Sequence, residues 1–181
     1  MIDVKTVVKN TPKAAVLWYL FALVWIALDQ WTKYLAIHHL KTIAFKPLMG
    51  DLLRLSYAEN TGMAFSISIF PPVVLLLVNC IAAVVIAVII WRVPLGFVKS
   101  GALALIMAGA LGNAIDRFRF GYVVDFIDAD FPDFIMHRWP IFNLADSGIS
   151  IGVTLFVLLV LLEKPSPESK PLATKVSDPT S

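Results

Sequence analysis

The chain is short of cysteine and short of charge. A single cysteine, Cys80, in 181 residues excludes an intrachain disulfide framework, and its place inside an apolar block reads as a small core residue. Charged residues make up 15% of the chain, against about 25% in an ordinary soluble domain. The net charge of +2 says little about partners. No basic patch interleaved with aromatics is present, so nucleic-acid binding is not expected. A glycine-rich phosphate loop and the HExxH pattern are both missing, and His38, His39 and His137 lack the spacing of metal ligands. Neither a metal nor an organic cofactor is therefore expected. No internal repeat is visible.

What fills the chain instead is hydrocarbon. Hydrophobic residues reach 59%, where about 45–50% is usual, and the mean hydropathy is +0.80. The excess is gathered into four blocks, at about 14–37, 71–91, 95–115 and 141–162, each near the roughly 20 residues a membrane-spanning helix needs. Pro71 and Pro72 suit the first turn of the second block, where a missing N–H matters least. The first block follows Lys5, Lys9 and Lys13, but no small-x-small cleavage site comes after it and it continues through Asp29, Gln30 and Lys33. It reads as a retained helix rather than a cleaved leader. The expectation is an all-α membrane protein, one four-helix bundle over 1–163. Residues 164–181, rich in Pro, Ser and Lys, are expected to be a disordered tail.

Lysine and arginine density favours both termini on the inner side. Arg92 and Lys99 flank the short second loop, and Lys164, Lys170 and Lys175 follow the last block. The third loop, with Asp125, Asp128, Asp130 and Asp133, is net acidic and fits the outer side. Between the first two helices, "DLLRLSYAENTGMAFSISI" partly alternates apolar with polar residues. A small β-element on the outer membrane face is expected there.

Inside a membrane protein, each polar residue at depth is a functional hypothesis. Asp29 and Lys33 lie four apart on one helical face and read as an ion pair that fixes the helix, extended by Gln30. Ala104, Ala108 and Gly112 recur every four residues, with Gly109 nearby, and should admit a close neighbouring helix. Asn113, Asp116 and Arg117 follow, as a local network ending that helix. Asp125 sits among Val123, Val124 and Phe126, a carboxyl held at an apolar surface. Asp128, Asp130 and Asp133 read as a solvated acidic face. Asp146 opens the last apolar run, three residues after Asn143. Desolvation and a second carboxyl nearby both raise a carboxyl pKa, and two such groups can share one proton near neutrality. The ionised member can take a proton from water and the protonated member can donate to a carbonyl oxygen. Asp125 and Asp146 are thus a candidate dyad for amide hydrolysis, although nothing in the sequence alone brings them together. A Ser–Lys pair, with Lys33 and Ser66 or Ser147, has no local motif behind it.

Five boxes occur in order: "DQWTK" (29–33), "ENTGMAFS" (59–66), "GNAIDR" (112–117), "GYVVDF" (121–126) and "FNLADS" (142–147). With four spans around them, they resemble the bacterial lipoprotein signal peptidases, or signal peptidase II, over about 17–162. The resemblance implies an aspartic endopeptidase of the bacterial inner membrane, without a cofactor. It would remove the signal peptide of diacylglyceryl-modified prolipoproteins, cutting just before the lipidated lipobox cysteine. By the same resemblance Asp125 and Asp146 are catalytic, and Asn60, Asn113, Arg117 and Asn143 bind substrate and orient the dyad. Asp29 and Lys33 are structural, and Asp116 braces the β-element. The implied partners are prolipoproteins, membrane lipid and cyclic-peptide inhibitors such as globomycin, with the enzyme acting as a monomer. Relatives often carry a basic or aromatic-type residue where this chain has Glu59, and the stretch between Asp125 and Asp146 varies among them. The loop with His137 and Trp139 is expected to form a lid. The reading from another class is a small proton-coupled transporter using the same acids as a relay; transporters usually show repeats or broken helices, and neither is apparent here.

Overall fold

A computed structural model describes residues 12–62, 70–130 and 138–163. The expected tail 164–181, Lys5, Lys9, Ser66, Asp133 and His137 lie outside the described residues. Four helices are long and apolar enough to cross a membrane: α1 (Pro12–Leu40), α2 (Pro72–Arg92), α3 (Phe97–Phe120) and α4 (Leu144–Leu161). Pro71 is the extended N-cap of α2 and Pro72 opens its first turn, where proline sacrifices no helical hydrogen bond.

The helix α3 is the axis of the bundle, in contact with α1, α2 and α4. Its small residues make this feasible: Ala102, Ala104, Ala108, Gly109 and Gly112 are all buried, so neighbouring backbones come close without a side chain between them. At Gly112 an added methyl group would stand 2.6 Å from an Asp29 carboxylate oxygen and 3.2 Å from the Ala145 Cβ. The outward faces of α1, α2 and α4 remain apolar, with Leu20, Leu23, Val78, Ile81, Val84 and Leu158 at least half exposed. That is the pattern of helices whose solvent is hydrocarbon rather than water. α3 continues past the polar residues expected to end it and stops at Phe120, where Gly121 takes the left-handed conformation (φ 79°) and donates its N–H to the Arg117 carbonyl. Asn113, Asp116 and Arg117 therefore project from an intact helix.

The β-element expected between the first two helices is present as β1 (Lys46–Met49) and β2 (Leu53–Asn60). A third strand, β3 (Val123–Ala129), completes it from the other side of α3, in the antiparallel order β1-β2-β3. In the β2–β3 register Ala58 faces Asp125 and Asn60 faces Val123. β3 is buried along nearly its whole length. A strand covered on both faces has no polar–apolar alternation, which is why "VVDFIDA" carried no strand signal. Val124 and Phe126 form one small core with Ala36 and Leu40 of α1, so Asp125, between them, points to the opposite face. Residues 138–142 then return along β3: Ile127 and Phe142 exchange backbone hydrogen bonds of 2.8 and 3.0 Å, and the Trp139 N–H reaches the Ala129 carbonyl at 3.2 Å. This return delivers the start of α4 directly beside Asp125.

Candidate active site

The start of α4 is set by its own sequence. Asn143 is an extended N-cap whose side-chain oxygen accepts from the Asp146 N–H at 2.9 Å, while its own backbone N–H donates to the Asp146 carboxylate at 3.3 Å. This is a reciprocal capping box. It starts α4 three residues later than the apolar run suggests and fixes the Asp146 side chain at the helix mouth. The Asn143 amide nitrogen then donates to Asp125 at 2.6 Å, to the Asn113 side-chain oxygen at 3.2 Å and to the Val124 carbonyl at 3.3 Å.

Each of the two acids has further donors. Asp146 accepts from the Asn113 amide at 2.8 Å. Asp125 accepts from the Asn60 amide at 2.9 Å, and the Asn60 oxygen takes the Gly62 N–H at 2.9 Å. Asp125 is only 2% exposed. Burial pushes its carboxyl up to about 7, the negative charge of Asp146 pushes the same way, and the Asn60 and Asn143 hydrogen bonds oppose both. Arg117 donates to the Gly62 carbonyl at 2.8 Å. Its buried Nε has no acceptor among the described residues.

Beneath this layer lies a buried charge cluster. Lys33 is 2.9 Å from Asp29, 2.9 Å from Asp116 and 3.0 Å from the Asn113 oxygen. All three donors of its ammonium are thereby engaged, leaving none for a serine. Ser147 is also occupied locally, donating to the Asn143 carbonyl at 2.9 Å. Asp29 accepts the Ala145 N–H at 2.8 Å, joining α1 to the first turn of α4. Asp116 accepts the Val124 N–H at 3.0 Å and the Gln30 amide at 2.8 Å, joining α3 to β3 and α1. The structure thus brings every site residue singled out in the sequence (Asp29, Lys33, Asn60, Asn113, Asp116, Arg117, Asp125, Asn143 and Asp146) into one connected cluster at the sheet-bearing end of the bundle.

Cys80, read as a small core residue, is instead exposed on α2. Two readings at the site also change. Asp128 is not part of a solvated acidic face: it is 5% exposed and takes hydrogen bonds from Arg138 at 2.7 Å, Ser56 at 2.9 Å and Arg54 at 3.2 Å. Burial pushes its carboxyl up, but the bonds from Arg138 and Ser56 outweigh burial and hold it below the ordinary range. Its neighbour Asp130 is half-buried and pairs with Arg138 at 3.4 Å. The second change is the role of Asn143, which sequence reasoning paired loosely with Asp146. The N-x-x-D spacing of a capping box was the signal that would have given the geometry. Glu59 accepts from Lys41 at 3.0 Å and Tyr57 at 2.8 Å. Those bonds hold its carboxyl below the usual range. It alternates with Asn60 along β2 and so points away from the acids. Among the described residues no group of three His, Cys, Asp or Glu side chains is arranged to hold a metal ion.

Comparison with known proteins gives the family and the overall fold. The family profile described as Signal peptidase (SPase) II matches residues 21–162. The lipoprotein signal peptidase of Pelodictyon phaeoclathratiforme is 40% identical over 87% of this chain and 96% of its own length. That of Enterococcus faecalis is 36% identical over 86% and 94%. A bacterial membrane enzyme solved by the in meso method at 2.3 Å resolution superposes with a TM-score of 0.74 and 28% identity, over 90% of this chain and 96% of that one. The chain belongs to the signal peptidase II family, the membrane peptidases that remove signal peptides from prolipoproteins.

Proposed function

We propose that this protein is an aspartic endopeptidase of the bacterial inner (cytoplasmic) membrane that cleaves diacylglyceryl-modified prolipoproteins immediately before the lipidated cysteine. The observation that carries the reading is the single residue Asn143, which donates to Asp125 at 2.6 Å and closes a capping box with Asp146. Two acids from distant parts of the chain are thereby held to one residue, with the charge of one raising the pKa of the other.

In this mechanism the dyad shares one proton at neutral pH, held by Asp125, whose carboxyl is pushed up to about 7. Asp146 takes a proton from a water molecule as its oxygen attacks the scissile carbonyl carbon. Asp125 gives its proton to the carbonyl oxygen, producing a neutral gem-diol. Return of the first proton from Asp146 to the leaving nitrogen, and of the diol proton to Asp125, breaks the C–N bond and restores the starting state. Asn60, Asn113 and Asn143 orient the carboxyls. Arg117, with its unoccupied Nε, takes a substrate carbonyl. Asp29, Lys33 and Asp116 tie α1, α3, α4 and β3 together beneath the dyad and touch no substrate.

The membrane supplies the rest. Substrate acyl chains stay in hydrocarbon, worth about 0.8 kcal/mol per buried CH₂, while the scissile bond lies at the sheet-bearing end where water is available. The lysine and arginine distribution supports both termini on the cytoplasmic side and the site near the outer face. The enzyme acts as a monomer, and globomycin-like cyclic peptides occupy the same cleft. The test is incubation of the purified chain with a diacylglyceryl prolipoprotein and with its unlipidated form. Mass spectrometry should show a product beginning at the lipidated cysteine from the first only. Cleavage elsewhere, or equal cleavage of both, contradicts the assignment.

A further inference from the structure

A groove of about 250 Å³ lies on the face of the sheet away from Asp125, between the end of α1 and strands β2 and β3. Its walls are apolar: Leu35 and Leu40 from α1, Leu55 from β2 and Phe126 from β3. Its polar lining includes His39 and Lys46. The dyad does not use it, since Phe126 and Asp125 point to opposite sides of β3.

Three observations say what fills it. The groove continues the lipid-facing surface of α1, whose Leu20, Leu23, Leu28 and Trp31 are exposed, so it opens towards hydrocarbon. The β1–β2 hairpin beside it exposes Phe45, Leu48, Met49 and Leu52 at 45–63%, an apolar patch that fits an interfacial layer and not bulk water. Finally, most cations around the sheet are already neutralised. Lys41 pairs with Glu59, Arg54 with Asp51 and Asp128, and Arg138 with Asp128 and Asp130. Lys46, at the groove, has no ion-pair partner among the described residues, and the His39 imidazole lines the same groove. An apolar slot with an unneutralised lysine and a neighbouring imidazole, at the level where spanning helices end, complements an amphiphile with a negative head.

We infer that this groove binds an anionic phospholipid of the surrounding leaflet, one acyl chain lying against Leu35, Leu55 and Phe126 and the phosphate held by Lys46 and His39. The chain pads the back of β3, the strand that carries Asp125. The inference rests on the membrane-spanning fold and not on the dyad, so it stands or falls separately from the proposed mechanism.

The test is native mass spectrometry of the full chain, released from vesicles of equimolar phosphatidylglycerol and phosphatidylcholine with identical chains. The wild type should retain one phosphatidylglycerol at least tenfold over phosphatidylcholine. Lys46→Glu, an exposed substitution that leaves the core intact, should abolish that preference, and Leu35→Trp should fill the slot and abolish retention of either lipid. Equal retention of the two lipids by the wild type overturns the inference, as does unchanged preference in Lys46→Glu. Stoichiometric displacement of the phosphatidylglycerol by a diacylglyceryl peptide also overturns it, because the groove would then belong to the substrate.

Discussion

The side-chain amide of Asn143 stands 2.6 Å from the Asp125 carboxylate, and the oxygen of that same amide caps α4 through the Asp146 N–H at 2.9 Å. One side chain thus both starts a helix and orients an acid, and the two roles are separable. Serine caps about as well as asparagine but has no amide to give Asp125. Asn143→Ser should retain about 1 kcal/mol more stability than Asn143→Ala. Both variants should lose cleavage alike, by about tenfold to a hundredfold, the value of a hydrogen bond to a charged group. Thermal unfolding in detergent beside cleavage kinetics separates the two effects.

The pH profile follows from Asp125. Its carboxyl lies near 7, so the shared proton is present below that pH and is lost as pH rises through it. Cleavage should fall on the alkaline side with an apparent pKa of about 7, a property of the pair rather than of either acid alone. The Asn60 bond lowers that pKa; removing it in Asn60→Ala should move the alkaline limb to higher pH while reducing the maximal rate. A limb that moves to lower pH would contradict this account of Asp125. Because the folded-state pKa is raised above the unfolded value, ionisation opposes folding, and stability due to this group is lost between about pH 4 and 7. Asp125→Asn should therefore unfold no lower than the wild type at pH 8.

Lys33 answers two buried carboxylates, Asp29 and Asp116, each at 2.9 Å. Removing one partner of a buried ion pair costs about 3–5 kcal/mol, because a charge is left without compensation. Lys33→Met should be destabilised by that order, and adding Asp29→Asn should restore part of the loss. If the double variant is less stable than the single one, Lys33 is not there to neutralise the acids.

Gly112 gives a packing test. A methyl group there meets an Asp29 carboxylate oxygen at 2.6 Å and the Ala145 Cβ at 3.2 Å. Asp29 is held by Lys33 and by the Ala145 N–H, so it cannot yield without breaking the tie to α4. Gly112→Ala should cost about 1–3 kcal/mol and lower cleavage as well. An unchanged unfolding temperature would show that α1 and α4 can move apart freely.

Much of the site was legible because the background is apolar. Against hydrocarbon every polar residue is costly, so Asp29, Lys33, Asn113, Asp116, Asp125, Asn143 and Asp146 stood out singly. Their convergence was not legible, since it depends on Gly109 and Gly112 bringing α4 and α1 against α3 and on residues 138–142 running back along β3. The strand β3 was invisible for a physical reason: covered on both faces, it shows no alternation. Asp128 was misread because Arg54 and Ser56 reach it from β2 and Arg138 reaches it only when the chain turns back along β3, and a local "DAD" pattern looks like a solvated edge. The groove beside Phe126 left no sequence signal, because its walls are ordinary apolar residues of three separate elements.

The central claim is that Asp125 and Asp146 act as one proton-sharing unit on an amide bond. The most direct measurement is the rate of cleavage of a diacylglyceryl prolipoprotein by Asp125→Asn and by Asp146→Asn, each first shown by thermal unfolding to be folded. Both variants should be inactive within detection, and Asn60→Ala should retain measurable activity. Cleavage by either aspartate variant at near the wild-type rate would contradict the account.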